Sequence, residues 1–155
     1  MHARDTARLA TPIGPIEVVG DEGTLYSLRI LTEGDPLPAS AASVRLAVEQ
    51  LEQYFAGERQ EFDLPLTPLR SPRGPAMRDV IRAIGYAGTR SYGEVAAAVG
   101  SSARAIGQAC RTNAYPIVVP CHRVLVSSGR DNYSAGDGLP TKHRLLDLER
   151  RHRRR

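Results

Sequence analysis

The spacing of apolar positions changes period along the chain. Ile16 and Val18 alternate with polar neighbours, Asp21-Glu22-Gly23 reads as a turn, and Leu25, Leu28 and Ile30 follow. A period of two around a turn predicts strands over residues 9–31, with a β-hairpin. Residues 32–42 are rich in Gly, Pro, Ala and Ser and predict a loop. The period then lengthens: Val44, Ala47, Val48, Leu51, Tyr54 and Phe55 fall on one helical face, with Gly57 where a C-cap is wanted. Pro65, Pro68, Pro72 and Pro75 crowd residues 63–75, which read as a linker.

Beyond the linker the pattern is one of short helices. Met77, Val80, Ile81 and Ile84 recur at helical spacing between Pro75 and Gly85. Ser91-Tyr92-Gly93-Glu94 is a capping box opening a helix through Val95, Ala98 and Val99 to Gly100. A second helix starts almost at once, with Ser101 or Ser102 as N-cap and Ala105, Ile106, Ala109 and Cys110 inward. Two helices joined by a tight Gly turn make a helix-turn-helix candidate. Arg104, Gln108 and Arg111 share the opposite face, which suits DNA recognition or simply faces solvent. Ile117-Val118-Val119 predicts a short buried strand running into Pro120-Cys121-His122-Arg123, which Val124, Leu125 and Val126 continue. Residues 127–141 read as a Gly/Ser/Asp-rich loop, and a last helix opens near Thr141 and buries Leu145, Leu146 and Leu148.

Composition narrows the class. The chain has 155 residues, 41% hydrophobic and 25% charged, which excludes disorder as the whole description. No apolar run approaches the ~20 residues of a membrane helix, and Met1-His2-Ala3-Arg4-Asp5 lacks the apolar stretch of a signal peptide. Two cysteines make no disulfide framework, so a reducing cytoplasm is expected. The charge is divided unevenly. Residues 1–69 hold five cationic and eleven acidic side chains, a net −6, and residues 70–155 hold sixteen and six, a net +10. A domain boundary is therefore placed near residue 69, giving a domain of 1–69 and another of 70–155. The cationic second half suits nucleic acid, although five of its charges belong to the tail Arg150 to Arg155.

The two cysteines sit in different settings. Cys110 lies on an apolar helical stripe, where a free cysteine is usually a core residue. Cys121 directly precedes His122 and Arg123, and nearby basic groups can turn a thiol into a nucleophilic thiolate. Neighbours on a strand point to opposite faces, so His122 reaches the sulfur only if the chain turns at Pro120. The tripeptide alone leaves a buried structural cysteine open.

The string Asn113-Ala114-Tyr115-Pro116-Ile117-Val118-Val119-Pro120-Cys121-His122-Arg123-Val124 resembles the active-site signature of the O6-alkylguanine-DNA alkyltransferases, also called methylated-DNA–protein-cysteine methyltransferases. The likeness extends to Thr89 through Glu94, Ala103 through Gly107, Asn132-Tyr133-Ser134, Lys142 through Glu149, and more loosely to Thr11 through Ile16. It implies an α/β chain: a small β-rich, ribonuclease-H-like N-terminal domain, and a helical C-terminal domain with a helix-turn-helix. It also implies a single-turnover repair reaction without metal or cofactor. An alkyl group on O6 of guanine, with O4 of thymine as a second candidate, passes to the protein after the base is flipped out of double-stranded DNA. The partner is DNA holding alkylated guanine, bound by a monomer, alone or cooperatively, without a membrane.

Residue by residue, the resemblance makes Cys121 the nucleophile, His122 its base through a water, Glu149 the group orienting His122, and Asn113 the support of the turn. Tyr92 and Arg104 would act on the DNA, Arg104 as a wedge in the stack, with Ala105 and Arg123 beside them. Tyr92, Val124, Tyr133 and Ser134 would contact the base. A second reading is a non-catalytic alkyltransferase-like lesion-binding protein, but such relatives lack the cysteine. A transcription regulator and a cysteine hydrolase are remoter readings. Departures from the family pattern include Gly85-Tyr86-Ala87-Gly88 before the first motif helix, Ala114 after the Asn, a short Gly100-Ser101-Ser102 turn and a long loop at 134–139.

Overall fold

A computed structural model describes residues 3–126 and 133–153, so Asn132, the first half of the expected 127–141 loop, and the last two tail arginines lie outside the described residues. Three antiparallel strands open the fold: β1 Asp5–Leu9, β2 Ile16–Gly20 and β3 Leu25–Ile30, in that order. Strand β1 lies almost wholly before the expected start at residue 9. Its inward residues are a small Ala7 and Leu9, too few for an alternation to register. Helix α1, Ala42–Phe55, packs on the sheet through Val44, Ala47, Leu51 and Tyr54. It has no cap of its own. Asp5 accepts from the amides of Ser40 and Ala41 at 2.7 and 2.8 Å, and Glu22 from that of Ala42 at 2.6 Å, so remote carboxylates serve its N-terminus. Gly57, at φ +77°, follows the helix and completes a Schellman closure, with its amide on Tyr54 O and that of Glu58 on Gln53 O.

The Pro-rich segment is tied along β3. Leu25 donates to Pro65 O at 2.8 Å and bridges to Leu66, covering part of an edge strand. Then follow α2 Gly74–Arg82, α3 Tyr92–Val99, α4 Ala103–Arg111 and α5 Leu139–His152. The capping box of α3 forms in both directions, Gly100 ends that helix in the left-handed region, and Ser102 caps α4. A parallel pair, β4 Arg90–Ser91 with β5 Val124–Leu125, fastens the start of the helix-turn-helix to the segment after the cysteine. One buried core runs from Ile16, Val18 and Leu28 through Val95 and Ile106 to Leu145.

One expected strand is absent. Ile117-Val118-Val119 forms a turn, with Ile117 at φ +76° and the Val119 amide on Tyr115 O at 2.9 Å. The apolar side chains are buried as expected, but Asn113 bonds claim the backbone. Its Nδ2 donates to Val119 O at 2.9 Å and its Oδ1 accepts from Tyr115 N at 2.9 Å. A β-branched residue at positive φ is strained, and such strain collects where a backbone must be held in an unusual shape.

Candidate active site and DNA-facing surface

That turn delivers Cys121. The residue opens a short 3-10 turn, Cys121–Arg123, with its amide on Val119 O. The residue is 4% exposed, and its sulfur receives Asn113 Nδ2 at 3.4 Å. One side chain thus closes the turn and touches the thiol it presents. Cys110 on α4, half-buried, is the other neighbour and lines the same small cleft. Its proximity and burial hold the Cys121 thiol well above the usual thiol range, against a pull from Asn113 and Lys142, so Cys121 rests as a thiol.

His122 is fully buried, with Nε2 2.7 Å from Glu149 Oε2. Burial pushes the imidazole below its ordinary value despite the carboxylate, so it is neutral near pH 7. The Nε2 hydrogen then belongs to the Glu149 bond and leaves Nδ1 as an acceptor, which has no hydrogen-bond partner among the described residues. Burial opposes ionisation of Glu149 as well. Hydrogen bonds from His122 and Arg123, with the Arg123 charge, outweigh it and hold the carboxyl well below the usual range.

Arg123 is a correction. Expected at the DNA, it is 5% exposed and directs its guanidinium inward: Nε to Glu149 Oε1 at 2.9 Å, one terminal nitrogen to Glu149 Oε2 at 2.9 Å, the other to Ile84 O at 2.7 Å. A buried carboxylate 26 residues away demanded a partner, and a two-pronged arginine supplies one. Sequence reasoning also missed Tyr54. Its hydroxyl donates to Glu149 Oε2 at 2.6 Å, although helical spacing marks it only as apolar. The amide of Ala87, a residue at φ +63°, adds a bond to Oε1 at 3.1 Å. Lys142, also fully buried, donates to the carbonyl of Val124 at 2.8 Å.

Tyr92, Gly107, Cys110, Arg111, Cys121, Tyr133 and Ser134 line a cleft of about 10 Å³. A nucleobase is far larger than this cleft, and Cys121 also lines a wider cavity of about 280 Å³ with Met77, Ala105, Asn113 and Val119. Tyr92 and Tyr133 are half-buried and Ser134 is exposed. The buried Tyr133 hydroxyl has no partner among the described residues. Val124, expected at the base, is buried in β5 outside this lining. Arg104, Gln108 and Arg111 are exposed along α4, with Ala105 half-buried beside them. The structure thus joins Asn113 to Cys121, and Glu149 to the adjacent His122, and leaves Arg104 on the outer face.

Residues 7–68 match the 6-O-methylguanine DNA methyltransferase ribonuclease-like domain, and residues 75–151 the DNA binding domain of the same family. A methylated-DNA–protein-cysteine methyltransferase of Mycolicibacterium paratuberculosis is 41% identical over 92% of this chain and 90% of its own length. The chain belongs to the methylated-DNA–protein-cysteine methyltransferase family. Its relative in Methanosarcina acetivorans is 36% identical, over 90% of this chain and 94% of its own length. Among solved members of the family, Mycobacterium tuberculosis OGT in complex with DNA superposes with a TM-score of 0.80 at 36% identity, covering 95% of this chain and 93% of that one. Family membership accounts for the two-part α/β architecture. Among the described residues, no helix is long and apolar enough to cross a membrane.

Proposed function

We propose that this chain repairs DNA by moving an alkyl group from O6 of guanine to its own Cys121. The carrying observation is the buried thiol beside a neutral His122 that is oriented by Glu149 and keeps one unpartnered ring nitrogen. His122 takes the thiol proton. The sulfur attacks the alkyl carbon, an S–C bond forms, the C–O6 bond breaks, and the guanine leaving group is reprotonated. The balance needs no cofactor, and the thioether ends the protein's working life. DNA is the partner, and alkylated guanine in duplex DNA is the proposed form, met by a monomer in the cytoplasm.

In this reading Asn113 holds the acceptor turn, and Tyr92, Tyr133 and Ser134 close around the extruded base. Arg104, with Ala105 beside it, enters the stack behind that base. Val124 acts from behind the cleft by fixing Lys142. The two working units are proposed as residues 1–69 and 70–155. A lesion-binding relative without chemistry is not favoured, because such relatives lack the cysteine and Cys121 is present.

Incubation with duplex DNA labelled on O6-methylguanine tests the reaction. Up to one equivalent of label is expected on the protein, located at Cys121, and none on Cys121→Ala, which still binds DNA. Label on another residue, or binding with no transfer, overturns the reading.

A further inference from the structure

The chain's two cysteines meet in one cleft. Cys110 and Cys121 both line it, and Asn113 ties to both, its amide to Cys110 O at 3.3 Å and its Nδ2 to the Cys121 sulfur at 3.4 Å. Residues 110–121 already fold back on themselves, through Asn113 Nδ2 to Val119 O and to the Cys121 sulfur, and through Val119 N to Tyr115 O. A covalent link between the two ends therefore joins groups that the turn has brought together, as a disulfide requires. We propose that Cys110 is a redox partner of the acceptor: a hydroperoxide converts the pair to a Cys110–Cys121 disulfide, which stops alkyl transfer until a thiol reductant reopens it. The effect on transfer rests on Cys121 being the acceptor; the bond itself does not.

The two thiols differ in their readiness to start. Cys110 is half-buried and Cys121 buried. The neighbouring Cys121 thiol pulls Cys110 below the usual thiol range despite burial, and Lys142 and Arg111 add to the pull. Thiolate character and exposure select the site of oxidation. The Cys110 sulfur attacks a peroxide oxygen, the O–O bond breaks and an alcohol or water leaves, so Cys110 becomes a sulfenic acid as the peroxide is reduced. The Cys121 sulfur then displaces hydroxide from Cys110, which departs as water with the thiol proton. Two thiols and one hydroperoxide give one disulfide, one alcohol or water, and one water. The acceptor, usable once, is thereby set aside in a recoverable form.

The test uses the full chain, reduced, then exposed to hydrogen peroxide, alkylated with iodoacetamide under denaturing conditions and cut with trypsin. The peptides Ala105–Arg111 and Thr112–Arg123 are expected as a linked pair, two hydrogens lighter than their sum and separated by dithiothreitol. Transfer to O6-benzylguanine, each protein compared with its own untreated rate, is expected to fall at least tenfold in the wild type and to return with dithiothreitol. Cys110→Ala should keep its rate at the same dose. Sulfinic or sulfonic acid at Cys121 without the linked pair, or equal irreversible loss in both proteins, overturns the proposal. A linked pair in a protein that never accepts an alkyl group upholds the thiol chemistry and overturns the functional reading alone.

Discussion

Glu149 holds the acceptor region together at the level of single residues. Tyr54, Ala87, His122 and Arg123 all donate to it, and none of its surface is exposed. Acid should therefore loosen the fold in two steps. His122 and Glu149 both have folded values below their ordinary 6.5 and 4.5, so the unfolded chain binds more protons than the native one. The stability they contribute is complete above about pH 6.5 and is lost as the pH falls through each folded value. Urea midpoints measured from pH 8 to pH 4 should fall below pH 6.5 in the wild type, and the upper part of that fall should vanish in His122→Gln. An identical profile in the variant would remove His122 as its cause. Family resemblance singled out Cys121, His122 and Glu149 in the sequence, whereas it put Arg123 at the DNA and missed its bonds to Glu149. Which of two adjacent basic residues turns inward depends on a carboxylate brought in by α5, and no local pattern records that.

Among the elements, the helix-turn-helix was readable because caps are local chemistry. The Ser91–Glu94 box and the Ser102 cap each involve residues three apart. The turn at 117–119 was not readable, since a three-residue apolar run fits strand, helix or turn, and its shape comes from Asn113. Helix α4 supplies the sharpest element-scale expectation. Arg104 stands exposed in its first turn, the end that meets bases in helix-turn-helix proteins. If it replaces the flipped base, Arg104→Ala should slow transfer from duplex DNA far more than transfer to free O6-benzylguanine, which needs no extrusion. The two rates decide it: equal losses would assign Arg104 to the fold or the cleft instead of the stack.

At the scale of the molecule, the acidic N-terminal half takes part in the site. Helix α1 sends Tyr54 across to Glu149, and Tyr115 from the acceptor segment returns a bond to Leu25 O at 2.6 Å. Charge asymmetry placed a boundary near residue 69, and the buried core and these bonds run across it. Tyr54→Phe keeps the ring and deletes one donor to a buried carboxylate, which should cost about 1.5–3 kcal/mol in chemical denaturation. The rate on free O6-benzylguanine should fall with it, since His122 shares the same oxygen. A variant as stable and as fast as the wild type would make the N-terminal half a passive platform.

Strand β3 is an edge, and instead of pairing with another strand its Leu28 amide donates to Ala114 O at 2.8 Å. Sheet and acceptor turn thus share one backbone hydrogen, which can be followed by isotope exchange. Exchange of that amide measures opening of the turn from outside the turn itself. Methylation of Cys121 adds a carbon to a buried side chain held against Asn113, and crowding of a packed side chain is relieved by backbone shifts. Deuterium should accordingly enter at Leu28 sooner in spent protein than in fresh protein, while the amides joining β1 to β2 keep their pace. The sheet would then carry a readable record of whether its one chemical event has taken place.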